Sequence, residues 1–170
     1  RPPAGTMLFA ITVPNKGGDT EFLSMRAAYE ALSEEHKTKL CDLRSIHVYE
    51  SSRSPRKLIK RSQGQVKKFG DQAKHPIVRT HPANGQKSIY LNPIRVEKID
   101  GLSRQNSDAI LDGLYEHLFQ SKFQYRHKWR VGDFLIWDNR GVLHQANDDY
   151  DWRNEQRELY RIMVKGERPF

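Results

Sequence analysis

The chain has 170 residues, enough for one domain with a real core, and 36% of them are hydrophobic against 29% charged. That balance excludes an intrinsically disordered chain, and no apolar run approaches the length of a membrane span. A single cysteine, Cys41, excludes an internal disulfide, fits a reducing cytoplasm and reads as a small core residue.

Taken in order, Thr6–Val13 is an apolar run rich in β-formers and reads as a buried strand. Pro14–Gly18 is a turn. Asp19 or Thr20 can cap a helix in which Phe22, Met25, Ala28, Tyr29 and Leu32 recur at helical spacing. Ser33 is placed to cap a second short helix ending at Leu40, and Ser45–Tyr49 has strand character. From Ser51 to His75 eight basic residues face Asp71 alone, a net +7 of the chain's +8. With Phe69 as its one aromatic, this segment lacks the base-stacking residues of a nucleic-acid surface, so it reads as a solvated basic loop or lid rather than a nucleic-acid site. Pro76–Thr80 and Lys87–Leu91 suggest a hairpin closed by Asn84-Gly85. Ser107 can cap a helix whose apolar face is Ile110, Leu111, Leu114, Leu118 and Phe119. Phe123–Trp129 alternates like a strand, and Gly132-Asp133 turns the chain into the buried-strand run Phe134–Trp137. Short strands with turn signals between them, and a few helices, indicate a mixed, β-rich fold.

The most informative stretch is Trp137-Asp138-Asn139-Arg140, followed by His144 and by Arg157 and Arg161 on a last strand ending at Val164. Alternation places Arg157, Leu159, Arg161 and Met163 on one face. Guanidinium groups grip carboxylates bidentately, so two arginines near a histidine suit a small acid beside a metal. A lone histidine after a strand is as readily structural, and spacing by itself leaves both readings open.

These residues resemble the C-terminal signature of the TauD/TfdA family of Fe(II)- and 2-oxoglutarate-dependent dioxygenases. Pro2-Pro3-Ala4-Gly5, Gly17-Gly18-Asp19-Thr20, Arg79-Thr80-His81-Pro82 and Tyr90-Leu91-Asn92-Pro93 extend the resemblance over nearly the whole chain. It implies a double-stranded β-helix (jelly roll) with flanking helices. It also implies that residues 1–170 form one domain, the C-terminal two-thirds of the family unit and incomplete at its N-terminus. Fe(II), 2-oxoglutarate and O2 are the implied cofactor and cosubstrates, with succinate and CO2 released as a small anionic sulfonate or carboxylate is hydroxylated. His144 matches the distal metal ligand, Thr20 and Arg157 the 2-oxoglutarate contacts, and Arg161 a substrate contact. Trp137, Asp138 and Asn139 match scaffold positions, and Tyr90 a weak pocket-lining one. The family's other two ligands come as His-x-Asp. None of the seven histidines here is followed two positions on by Asp or Glu, so the motif is expected upstream of Arg1. The alternative is a non-catalytic member that binds a small acid without iron. No membrane partner is expected, and a homo-oligomer is left open.

Overall fold

In the computed structural model, residues 2–56, 64 and 72–170 are described. Most of the basic segment expected as a loop or lid lies outside them. Eleven strands and three α-helices are assigned among the described residues. No helix among them is long and apolar enough to cross a membrane. The chain separates into two compact units, one running up to Ala27 and resuming over Phe119–Arg168, the other comprising Ala28–Leu118 with Pro169–Phe170.

The first unit holds two three-stranded antiparallel sheets. In one, β1 (Gly5–Thr12) is flanked by β9 (Phe134–Asp138) and β11 (Glu158–Val164). In the other, β2 (Thr20–Ser24) is flanked by β8 (Gln124–His127) and β10 (Val142–Ala146). The expected helix capped by Asp19 or Thr20 is therefore strand up to Ser24. Helix α1 (Met25–Glu30) begins only after it, where Ser24 Oγ accepts the Ala27 N–H at 3.1 Å. Phe22 and Met25 satisfy a helical rhythm, but Thr20, Phe22 and Ser24 also satisfy a two-residue period, and pairing with strands on both sides decides for the latter.

Strand β9 forms where the apolar run predicts, but it is not buried on both faces. Register places Phe134 beside Phe9 and Ile136 beside Met7, with Tyr160 and Ile162 across from the same two residues. Phe134 and Ile136 are 57% and 60% exposed on this outer face. Leu135 and Trp137 point the other way, sharing a face with Leu8, Arg161 and Met163.

The second unit holds the sheet β4–β3–β7 (Gln72–Pro76, Arg44–Val48 and Val96–Ile99) and the pair β5–β6 (Val78–Thr80 and Lys87–Ile89). Ile46, Ile77, Ile89, Val96 and Ile99 are buried there with Leu111, Leu114 and Leu118 of α3 (Arg104–Leu118). The hairpin forms, but through a six-residue loop closed by His81 N–H to Gln86 O at 2.8 Å. A two-residue Asn-Gly turn needs positive φ at both positions, and only Gly85 has it. Ser33 caps α2 (Glu34–Leu40), accepting the His36 N–H at 3.3 Å. Cys41, at the C-terminal end of α2, is exposed and not a core residue. Ser107 is not a cap either. The cap is Ser103, and Ser107 lies buried one turn in, accepting the Ile99 N–H at 2.8 Å. Phe119, beyond the helix end, is 47% exposed and leaves the apolar stripe. At the described ends of the basic segment, Arg53 pairs with Asp108 and Asp112, and Lys74 with Asp100 at 2.8 Å.

Candidate functional site

The two sheets of the first unit meet through aromatic rings. Phe22 on β2 lies edge-on to Trp137 on β9, with ring centres 5.1 Å apart, and Trp137 lies 4.9 Å from His144 on β10. Pairing sets this up. His144 is opposite Phe22, and Tyr125 is opposite Phe22 on the other side, so these side chains share one face with Thr20 and His127. His144 is an exposed residue of β10, but partial desolvation of its ring and, secondarily, the positive charge of Arg161 hold it below the ordinary histidine range. Both effects favour the neutral imidazole, the form that ligates metals.

Thr20 and Arg157 come together more tightly. Arg157 precedes β11 rather than lying on it. Its Nε donates to the Gly18 carbonyl at 2.6 Å and its Nη2 to Thr20 Oγ1 at 3.3 Å. Thr20 Oγ1 also accepts the indole N–H of Trp129 at 2.9 Å. Burial lowers the pKa of Arg157, an effect opposed by Tyr150 and Asp19. Four of the five guanidinium donors of an arginine lie on its two terminal nitrogens, so those not used on Thr20 remain for a bidentate partner.

The Gly17-Gly18-Asp19-Thr20 segment owes its glycines to close approach. A Cβ on Gly17 would sit 2.1 Å from the Asp149 carbonyl oxygen, and one on Gly18 2.8 Å from Pro14 Cγ and 3.1 Å from Arg157 Cδ. Both residues have positive φ, 77° and 68°. Gly18 N–H donates to Asp149 Oδ1 at 2.9 Å. Arg126 on β8 ties the loop down, donating to Asp19 Oδ2 at 2.7 Å and to Asp149 Oδ2 at 2.6 Å. Arg126, Asp149 and Trp129 are absent from the reading by motif. Tyr125, His127 and Trp129 do alternate onto one face in the sequence, which is the signal that could have found Trp129.

Arg161 lies on the Leu8 and Trp137 face of its sheet and is exposed. Trp137 Nε1 donates to Asn139 Oδ1 at 2.9 Å, and Asn139 Nδ2 to Thr6 Oγ1 at 2.8 Å. Asp138 accepts Arg140 N–H and Nε, each at 2.8 Å, which closes the turn into β10. Tyr90 belongs to the second unit, where it stacks on His47 with ring centres 5.6 Å apart.

The family described as Taurine catabolism dioxygenase TauD, TfdA family matches residues 1–163. The chain belongs to this family. A Schizosaccharomyces pombe relative, provisionally named an alpha-ketoglutarate-dependent sulfonate dioxygenase, is 44% identical over 171 residues, covering 100% of this chain and 42% of the relative. The alpha-ketoglutarate-dependent 2,4-dichlorophenoxyacetate dioxygenase of Burkholderia sp. (strain RASC) is 39% identical over 163 residues, covering 96% and 54%. The crystal structure of AAD-2 in complex with Mn(II) and N-oxalylglycine superposes with a TM-score of 0.86 at 35% identity, covering 99% of this chain and 65% of that one. The β-rich fold with few helices is thus similar to that of this TauD/TfdA chain's structural relatives, and the chain spans about half the length of the curated relatives it matches.

Arg157 beside the Thr20 hydroxyl fits a carboxylate. His144 fits one position of a metal. No group of three or more His, Cys, Asp or Glu is placed to hold a metal among the described residues, so by themselves they do not complete an iron site.

Proposed function

We propose that this chain carries the cosubstrate-binding residues of a 2-oxoglutarate-dependent dioxygenase that hydroxylates a small organic anion and releases succinate and CO2. One observation carries the reading: Arg157, locked by the Gly18 carbonyl, stands within hydrogen-bond distance of the Thr20 hydroxyl. That pair suits the distal carboxylate of a 2-oxo dicarboxylate, bound by charge and by directed hydrogen bonds. His144, favoured as neutral imidazole, is assigned to the metal, with two further ligands required from residues the described structure does not bring to it. Arg161 is assigned to the anionic group of the substrate, which fits relatives named for sulfonate, sulfate ester and aryloxyacetate substrates. The two facing three-stranded sheets are read as part of a double-stranded β-helix, and residues 1–170 as part of a single domain.

A second reading, a family member that binds a small acid without iron, draws on the incomplete metal set. Anaerobic titration of the full protein with Fe(II) and 2-oxoglutarate separates the two. A visible charge-transfer band that His144→Ala removes, with succinate released on adding O2 and an alkylsulfonate or aryloxyacetate, supports the dioxygenase. Binding of 2-oxoglutarate with no band and no succinate selects the acid binder.

A further inference from the structure

Thr20 Oγ1 is nearly sealed, the residue being 2% exposed, and both of its hydrogen-bonding neighbours are pure donors. An indole N–H cannot accept, and neither can a guanidinium. A hydroxyl has two acceptor lone pairs and one proton. With Trp129 and Arg157 on the lone pairs, what Thr20 has left to offer is its proton. Trp129 itself is held from two sides. It is 8% exposed, and its ring lies edge-on to His127 with centres 4.6 Å apart. His127 Nε2 is in turn bonded to Asp133 Oδ2 at 3.1 Å, and that same oxygen accepts the Arg130 N–H at 2.8 Å.

We propose that Trp129 is a positioning residue that fixes the Thr20 hydroxyl as a hydrogen-bond donor toward the carboxylate held by Arg157, and so helps the site select a 2-oxo dicarboxylate over a 2-oxo monocarboxylate. This rests on the assignment of Thr20 and Arg157 to 2-oxoglutarate. In the absence of the indole N–H, one lone pair of Thr20 is open. The hydroxyl can then turn its proton elsewhere or take up water, and a ligand carboxylate loses a pre-aimed donor. An acid lacking the second carboxylate never meets Thr20 and does not sense the indole.

The test is calorimetric binding of 2-oxoglutarate and of 2-oxovalerate, which keeps the 2-oxo acid end but lacks the second carboxylate. It uses the full protein loaded with redox-inert Zn(II). Trp129→Phe is expected to weaken 2-oxoglutarate about 3- to 10-fold, in keeping with one lost directed hydrogen bond, and to leave 2-oxovalerate within about twofold. Adding it to Thr20→Val should weaken 2-oxoglutarate no further, because the two act through one hydroxyl. Equal weakening of both acids marks a structural role and overturns the proposal, as does no weakening of either, or full additivity with Thr20→Val. A wild-type protein that binds both acids equally sinks the 2-oxoglutarate assignment itself, and the proposal with it. If Trp129→Phe does not fold, the indole N–H resonance of Trp129 in the wild-type protein gives the second readout. It should shift on adding 2-oxoglutarate and stay in place with 2-oxovalerate; a resonance unmoved by both, or moved alike by both, overturns the proposal.

Discussion

At the scale of single residues, the candidate site is set by backbone shape as much as by charge. Gly18 combines φ of 68° with a position where a Cβ would press on Pro14 and Arg157. Gly18→Ala is expected to destabilise the protein by about 1–2 kcal/mol through left-handed backbone strain alone. It should also weaken 2-oxoglutarate binding, since the carbonyl it displaces is the one that aims Arg157. Urea unfolding and calorimetry on the same variant read the two effects, and a variant with wild-type affinity would show that Arg157 does not depend on this loop. The two arginines should separate kinetically. Arg157→Ala is expected to raise KM for 2-oxoglutarate by about 10-fold or more, in line with a charge-assisted bidentate pair, and to change KM for the organic substrate little. Arg161→Ala should do the reverse. The opposite pattern would mean that the two assignments are exchanged.

At the scale of elements, two expectations failed for the same reason. Thr20–Ser24 and Ser107 both looked like helix starts, because hydroxyls and acidic groups before apolar residues are what helix N-termini use. In the fold, β2 is claimed by partners on both sides, and a capping interaction worth about 1 kcal/mol does not compete with two ladders of backbone hydrogen bonds. Ser107 is recruited by a neighbouring strand instead, because the buried Ile99 N–H needs an acceptor. Ser107→Ala is therefore expected to cost about 1–3 kcal/mol by orphaning that N–H. Ser103→Ala should cost about 1 kcal/mol by loss of the cap. Urea midpoints of the two variants decide the matter, and a Ser107→Ala variant as stable as the wild type would remove Ser107 from the hydrogen-bond framework.

At the scale of the whole molecule, stability should depend on pH through a half-buried histidine of the second unit. Burial, and secondarily the nearby His75, push His47 down to about 4. The unfolded chain takes up a proton near the ordinary value of 6.5 while the folded one refuses it, so folding is favoured above that range. The contribution is full above about pH 6.5 and is lost as pH falls toward 4, amounting to about 3 kcal/mol at most. His47→Gln should flatten the decline in unfolding free energy between pH 6.5 and 4. An unchanged slope would place the acid sensitivity elsewhere. The charge excess also reads differently once partners are known. Arg53 and Lys74, two of the basic residues between Ser51 and His75, are paired with Asp108, Asp112 and Asp100 in the same unit.

The sequence by itself determined the family and the β-rich class. Ordered blocks such as Trp137-Asp138-Asn139-Arg140 with His144, Arg157 and Arg161 are specific in combination, and alternating β-formers announce strands locally. It also supplied the strands β3, β9 and β11 to within a residue or two, since each is bounded by its own turn signals. What only the tertiary structure decided was which apolar face is covered and who holds whom. Phe134 and Ile136 are as hydrophobic as Leu135 and Trp137, and only the opposing sheet sorts them. The lock of Arg126 across Asp19 and Asp149, and the hold of Trp129 on Thr20, join residues more than twenty and more than one hundred positions apart. Contacts at such separation leave no local periodicity, because they arise from how strands pair and not from the order in which side chains follow one another.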